Sequence, residues 1–500
     1  MNDVERAAAS TVGSLFEARA TVHPDRAAVV DGPARVTYGE LSRRSRTLAG
    51  ALAERGVGKG DRIAILSENR VEYLETFLAA SRLGAIVACQ NWRLAPPELA
   101  HCLDLVAPKL LLASPRHADR LATRPEPVLR LDAPRGDAVP PAADLGPEDP
   151  FLILYTSGTT GLPKGAVLSH RAEIARAAVL RADFGIAAED SYVAWSPMYH
   201  MGGAEYSLTT LMGGGTVFVV DGFDAERLAD VVESERIGWL LLMPGMVGRF
   251  ADLLEARSSR VCGVRVCGVM ADLVPPTDLA RITTLLQAPY ANTFGSTETG
   301  CPPCSSSLVP IGTAPTRLPK TQSPFCEVRL VDPDDRDVPD GTPGEICVRG
   351  PTLFSGYWND VEARDFRGGW FHMGDVFVRN ADGTLDFVDR VKYLVKTGGE
   401  NVYPAEIERV ILGDPRVVEA AVVRKKDAKW GEVPVAFVAP RDDTLEAQDI
   451  LARCRAELAG YKQPKAIRFL AYEAFPRSAS GKVQRHELER MLEDEEGGAT

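Results

Sequence analysis

The 500-residue chain has no run of Lys and Arg longer than the three residues 424–426, and its formal net charge is −12. A nucleic-acid binder carries a basic face, so no nucleic-acid partner is expected. Anionic small molecules stay open, because a few placed donors outweigh net charge. No uninterrupted apolar stretch approaches the ~20 residues that span a bilayer, which predicts no integral membrane association. The apolar runs at 84–89 and 239–243 are short and predict buried strands. Residues 1–6 have no apolar h-region, which predicts no secretory leader. Nine cysteines at irregular spacings do not describe a disulfide framework in so long a chain. These absences together predict a soluble protein in a reducing, cytoplasmic setting.

What is present is alternation. Thr37 and Glu40 have the spacing of a capping box. Leu41, Leu48 and Leu52 follow at helical spacing, and Gly56 is placed to end that helix. Residues 61–66 form an apolar run of the covered-strand kind, and residues 71–83 read as another helix. This predicts an α/β fold with parallel sheets. Residues 133–150, rich in Pro, Asp, Ala and Gly, read as an exposed connection. Residues 169–287 alternate again. From 325 to 349 the pattern becomes strand–turn–strand, with turn residues at 332–335 and 340–344. Beyond Arg390 the chain has the length of a small domain. There Pro404 opens a helix, residues 417–423 and 433–438 read as strands, and the acidic tail at 493–498 reads as frayed.

The strongest chemical signal follows the apolar run at 151–154. Thr156, Ser157, Gly158, Thr159, Thr160 and Gly161 combine hydroxyls with glycines, and Lys164 adds a mobile positive charge. Glycines let the backbone turn its N–H groups inward, and hydroxyls add donors, so such a loop can wrap phosphoryl oxygens. It is not a Walker A loop, which needs G-x-x-x-x-G-K-[ST]. A bare Ser/Thr/Gly string reads as surface loop; its place after a strand favours phosphate binding.

Residues 155–165 resemble the signature of the adenylate-forming superfamily, which includes acyl- and aryl-CoA synthetases, adenylation domains of peptide synthetases and firefly-type luciferases. Later motifs recur in the family's order, so the resemblance covers nearly the whole chain. It implies a large N-terminal AMP-binding domain, residues 1–390, made of two α/β parallel-sheet subdomains and a small β subdomain. A small, mobile α+β C-terminal domain, residues 391–500, is implied after it.

The same resemblance implies roles for individual residues. Phe294, Gly295, Ser296, Thr297 and Glu298 match an aromatic-Gly-x-Thr-Glu motif. Phe294 would stack on the purine, Thr297 would donate to the α-phosphate, and Glu298 would ligate Mg²⁺, a hard cation that favours carboxylate and phosphate oxygens. Taken alone, Thr-Glu reads as a helix N-cap. Asp375 falls at the ribose position, where two acceptor oxygens suit a cis-diol. Arg390 falls where the family contacts ribose and phosphate. Many relatives carry Gly-Gly-Ala near the adenine; residues 267–272 keep only Gly268 of that pattern. Lys392 falls at the interdomain hinge. Gly398, Gly399 and Glu400 fall in the loop that meets the thiol acceptor, where glycine permits close backbone approach. Lys482 falls at the catalytic lysine, and Arg477 stands where the motif usually has Lys.

The implied activity is that of an ATP-dependent acid–CoA ligase. The carboxylate attacks the α-phosphorus of ATP, pyrophosphate leaves, and the CoA thiol then displaces AMP. Such chemistry needs positioning and charge neutralisation more than a proton shuttle. The small-molecule partners are a carboxylic acid, ATP and CoA, with Mg²⁺ as cofactor. Residues 195–203 resemble the family's Pro-x-x-His-x-x-Gly segment, so His200 either borders the acid-binding tunnel or packs as a core histidine. The Phe-Asp motif of amino-acid adenylation domains is missing there. Cys301 and Cys304 form a C-x-x-C, but with Cys262 and Cys267 the spacings are poor for zinc. Met243, Pro244 and Met246 offer adaptable apolar wall. An apolar acid is expected: aromatic, alicyclic or a medium-chain fatty acid. Two alternatives stand: a ligase that loads a separate carrier protein, and a catalytically silent nucleotide-binding protein on the same fold. No carrier domain follows residue 500, which favours free CoA. A homodimer and a monomer are both compatible with the sequence.

Overall fold

The computed structural model describes residues 3–156, 162–360, 363–397, 400–427, 429–477 and 483–497. Contacts divide the chain into two units. One comprises Met1–Glu327 with Arg349–Gly369, the other Val328–Val348 with Trp370–Thr500. The boundary expected at 390/391 falls within the second unit.

The first unit holds two parallel-sheet layers, as the alternation predicts. In one sheet the strands run Val128–Arg130, Leu110–Ala113, Arg62–Leu66, Ile86–Gln90, Pro150–Thr156 and Lys164–Ser169 from edge to edge. The first five are parallel and the last returns antiparallel. Parallel strands must be covered on both faces, and their central residues, from Ile63 to Leu66 and Phe151 to Leu154, are buried. In the other layer, Ala34–Thr37, Ala27–Asp31, Val217–Val219 and Tyr192–Ala194 form one sheet. A bridge from Ser191 to Ile237 continues it into Arg236–Leu240, Gly263–Cys267, Tyr290–Ala291 and Leu308–Val309.

Local expectations hold with instructive exceptions. The helix Val71–Leu83 forms as read, ending at Gly84 in the left-handed region. The helix Tyr38–Glu54 starts from Thr37, whose hydroxyl accepts the Glu40 N–H at 3.2 Å. The reciprocal half of the capping box is absent among the described bonds; the Glu40 carboxylate lies 3.7 Å from Arg44 instead. The strand expected at 239–243 is Arg236–Leu240. Leu241 and Leu242 continue buried beyond the last ladder pair, so their apolarity reflects packing rather than pairing.

In the second unit, Gly344–Arg349, Trp370–Arg379 and Leu385–Arg390 pair antiparallel. The turn read at 332–335 is closed by Asp332 Oδ1, which accepts the N–H groups of Asp334 and Arg336. A further sheet contains Val395–Thr397, Glu400–Val402, Gly431–Pro440, Val417–Asp427 and the parallel Ala466–Phe469. Side chains alternate across it. Val422, Ala436 and Val438 pack with Ile407, Ile411 and Ile450, while Val423, Val435 and Phe437 pack with Leu488 and Leu492. The tail expected to fray is helical to Gly497, in a helix anchored by that Leu488 and Leu492 contact.

All nine cysteines are free; eight are buried and Cys262 is exposed. No described helix is long and apolar enough to cross a membrane.

His170 supplies a test of this packing. It is buried against Phe151, ring centroids 4.7 Å apart, and its Nδ1 accepts the Val12 N–H. Burial lowers its pKa from 6.5 to about 4. Between those values the unfolded chain binds a proton that the folded chain does not, so stability falls as pH falls. A loss of roughly 3 kcal/mol is expected across that window, read by urea unfolding at stepped pH. His170→Gln should flatten this limb; an unchanged limb would assign the acid sensitivity elsewhere.

Candidate functional site

In the first unit the glycine-rich segment connects two antiparallel strands. Thr156 ends one, Lys164 begins the other, and the two are register partners. Ser157, Gly158, Thr159, Thr160 and Gly161 lie outside the described residues. The returning strand Lys164–Ser169 is paired on its other side as well. Gly165 O accepts from Trp358 N, and Val167 exchanges hydrogen bonds with Ser355 and Gly356. That pairing brings Tyr357 beside Lys164, whose Nζ sits 4.4 Å from the ring centroid and 3.5 Å from Asp365 Oδ2.

Tyr357 in turn reaches Glu298. Its hydroxyl donates to Glu298 Oε1 at 2.7 Å. Burial, and after it the neighbouring carboxylate, pushes the phenol well above its usual range, so it stays a donor. Glu298 is itself buried, with its backbone carbonyl accepting from Phe354 N at 2.8 Å. Lys164, Tyr357 and Glu298 therefore form one array built from three distant sequence segments.

Glu298 sits in a tight hairpin between Phe294–Ser296 and Gly300–Cys304. A Cβ at Gly295 would lie 2.0 Å from the Gly300 carbonyl, so this strand approach needs glycine. Thr299 Oγ1 accepts the Ser296 N–H at 3.0 Å, which closes the turn over Thr297 and Glu298. The helix N-cap reading of Thr-Glu does not apply, since no helix starts there. Thr297 is half-buried in this turn, and Phe294 is half-buried at the other end of the ladder, opposite Cys304.

Gly268 answers the incomplete Gly-Gly-Ala pattern. Its φ is +70°, and an added Cβ would fall 1.9 Å from the Tyr290 ring. Its carbonyl accepts from Trp239 Nε1 at 2.9 Å. The retained glycine is thus the one that the packing demands. Trp239 packs on Tyr206, ring centroids 4.4 Å apart, and Tyr206 Oη lies 3.0 Å from Cys301 Sγ. Cys301 and Cys304 are buried thiols in this wall, and no cluster of three or more metal-ligating side chains occurs among the described residues.

His200 is exposed, which removes the packed-core reading. It caps the helix Met201–Gly213, with Nδ1 accepting the Gly202 N–H at 3.3 Å. That bond places the ring proton on Nε2, which faces away from the cap as a donor.

In the second unit, Asp375 and Arg390 are register partners on adjacent strands. Arg390 Nε lies 3.0 Å from Asp375 Oδ1. Asp389 beside it is buried and accepts the N–H groups of Arg390 and Ala405, tying the strand end to the helix Pro404–Leu412. Lys392 is exposed, with Nζ 5.0 Å from the Tyr393 ring centroid. Glu400 begins its strand as the register partner of Thr397. Gly398, Gly399 and Lys482 lie outside the described residues.

Sequence reasoning missed three participants: Tyr357, Arg176 and Lys320. Arg176 is buried and donates to the carbonyls of Thr297 and Thr352. Lys320 is buried and donates to Asn292 and Asp272, which joins the segment before Phe294 to the segment after Gly268. Lys320 sits in a mixed polar stretch, Thr316 to Ser323, so nothing local marks it either. The same is true of Tyr357 and Arg176.

Residues 16–358 match the AMP-binding enzyme family model, and residues 406–482 match the AMP-binding enzyme C-terminal domain. The chain is 36% identical to a feruloyl-CoA synthase of Amycolatopsis sp, covering 96% of this chain and 99% of that protein. It is 35% identical to the indoleacetate–CoA ligase of Aromatoleum aromaticum, covering 95% and 97%. Its structure resembles o-succinylbenzoate CoA synthetase from Bacillus subtilis bound to its acyl-adenylate, with TM-score 0.83, 26% identity, and coverage of 95% and 97%. The same protein with ATP and magnesium ion gives TM-score 0.81 at 26% identity, covering 95% and 98%.

Gly268→Ala should cost about 1–3 kcal/mol through overpacking against Tyr290, seen as a lower urea midpoint. An unchanged midpoint would mean the Tyr290 ring yields freely.

Proposed function

The chain belongs to the AMP-binding enzyme family, and on that premise we propose that it is an ATP-dependent ligase joining an aryl-bearing carboxylic acid to CoA in a reducing, cytoplasmic setting. The observation that carries the reading is the Lys164–Tyr357–Glu298 array at the mouth of the glycine-rich hairpin. It sets a cation and a buried carboxylate around one phenol, which suits an anionic, metal-bearing triphosphate.

The acid's own oxygen is a poor leaving group. Its carboxylate attacks the α-phosphorus of ATP, the bond to pyrophosphate breaks, and the oxygen is now part of AMP. The thiol sulfur of CoA then attacks the acyl carbon, and AMP leaves with the bonding pair. Lys164 supplies positive charge beside the hairpin that would hold the departing phosphates. Thr297 would donate its hydroxyl to the α-phosphate, and Phe294 would stack on the purine. Asp375 would take the ribose diol while Arg390 stands beside it as an ion-pair partner. Lys482 would bridge the acid and the α-phosphate. A hinge at Lys392, between domains 1–390 and 391–500, would replace Lys482 by the Gly398, Gly399 and Glu400 loop for thioester formation.

The donor set suits magnesium: a lone buried carboxylate, Glu298, with no cluster of three or more such ligands among the described residues, leaves the other positions to phosphate and water. Bound there, Mg²⁺ would neutralise the phosphate charge.

An aryl group is favoured because the relatives are named for ferulate and indoleacetate. Tyr206, on the helix that His200 caps, packs on Trp239. Lys320 is already engaged by Asp272 and Asn292, so it is not offered to a second carboxylate.

Acid-dependent pyrophosphate–ATP exchange with ferulate, indoleacetate, benzoate, cyclohexanecarboxylate and octanoate tests this reading. Exchange with the aryl acids, and AMP release only with CoA, is expected; exchange with none would return the chain to a silent nucleotide binder. Lys482→Ala should lose exchange by a factor of about 10²–10³ and keep thioester formation from supplied acyl-adenylate. Full exchange in that variant would remove Lys482 from the adenylation step.

A further inference from the structure

Arg176 is among the largest fully buried side chains of the protein. It stands on the helix His170–Phe184, away from every motif that marks the site. Its guanidinium is used in three directions. Nη2 donates to the Thr297 carbonyl at 3.0 Å, Nε donates to the Thr352 carbonyl at 2.8 Å, and Nη1 pairs with Glu205 Oε1 at 2.5 Å. Gly300 lets it approach: a Cβ there would lie 2.9 Å from Arg176 Cδ.

These acceptors are not scattered. Thr297 carries the turn that presents Glu298. Thr352 lies five residues before Tyr357 in sequence, on the segment whose Phe354 N–H holds the Glu298 carbonyl. Glu205 lies on the helix that His200 caps. A planar, permanently charged fork therefore meets the two segments that place Glu298 and Tyr357, from behind, and is held there by a carboxylate of the acid-side helix.

The charge balance explains why the arrangement persists in the interior. An unpaired guanidinium would be costly there, and Glu205 neutralises it. Glu173 lies buried beside the pair; burial, and then the Glu205 charge, pushes its carboxyl well above the usual range, and burial raises Glu205 too, against the pull of Arg176.

We propose that Arg176 is a positioning residue for adenylation. It holds the Thr297–Glu298 turn and the Thr352–Tyr357 segment at the separation that the Tyr357–Glu298 bond requires. It touches neither nucleotide nor acid. The proposal rests on the functional reading above, because it needs a step in which Glu298 and Tyr357 serve the triphosphate. On that reading Glu298 and Tyr357 serve the departing pyrophosphate, which is gone before CoA reacts. Loosening the clamp should therefore injure the first half-reaction and spare the second, whereas a general packing defect would injure both.

The test separates the half-reactions in Arg176→Lys, which keeps a charge near Glu205 but lacks the fork to reach both carbonyls. Pyrophosphate–ATP exchange is measured with an acid that the wild-type chain accepts from the panel, and thioester formation is measured from the preformed adenylate of that acid. Exchange should fall about 30- to 100-fold with a raised KM for ATP, since displacement of an aligned group by an ångström costs a factor of that order. Thioester formation should stay within about threefold of wild type. Proportional loss of both, or loss of neither in a folded variant, overturns the proposal. If Arg176→Lys does not fold, Glu205→Gln answers in its place, since it frees the guanidinium from its anchor. It should bias the ratio in the same direction by a smaller factor, and an unchanged ratio overturns the proposal equally. Absence of exchange in the wild-type chain with every acid is a different result, because it removes the functional reading rather than the clamp alone.

Discussion

The strand Lys164–Ser169 is paired on both sides, and the chemistry of the first unit depends on that. On one side it returns along Pro150–Thr156, which makes Thr156 and Lys164, at the two ends of the glycine-rich segment, register partners. On the other side it collects Ser355–Trp358, a stretch nearly two hundred residues later by simple subtraction of the numbering. Backbone hydrogen bonds are directional and register-specific, so this pairing places Tyr357 to within one side-chain length of Lys164. The carboxylate of Glu298 then needs only one hydroxyl bond to join them. A cationic end, a donor and a buried anion are assembled with little reliance on side-chain flexibility.

The readable part of the sequence was the part whose meaning is local. Residues 71–83 carry their own periodicity and form the helix they spell. Asp332 carries its own turn. The segment from Phe294 to Glu298 is specific as a string, and the structure folds it into a tight hairpin with Gly300–Cys304 that the string did not announce. Where local signals compete, the reading slips. Leu241 and Leu242 look like strand because they are apolar, yet their burial comes from packing beyond the ladder. Glu40 satisfies the spacing of a capping box, but a nearby arginine is the better partner for a carboxylate.

Tyr357, Arg176 and Lys320 show the other limit. Each acts through partners far away in the chain, and each is an ordinary residue type in an ordinary neighbourhood. Only the meeting of segments gives them roles. The same holds for Gly268: its sequence context departs from the family pattern, and its necessity is visible only as the Tyr290 ring lying where a Cβ would go. Motif departures are thus best judged by what the remaining residue touches.

The distribution of thiols has a practical corollary. Burial pushes the thiols of Cys102, Cys301 and Cys326 up to about 12 and that of Cys454 up to about 11, which leaves them almost wholly protonated near neutral pH. Cys262 is the exposed exception, on the connection leading into the strand Gly263–Cys267. A maleimide dye would therefore attach at one place on the native protein without engineering. The molecule comes with its own single attachment point for fluorescence, and it lies in the unit that also holds the Lys164–Tyr357–Glu298 array.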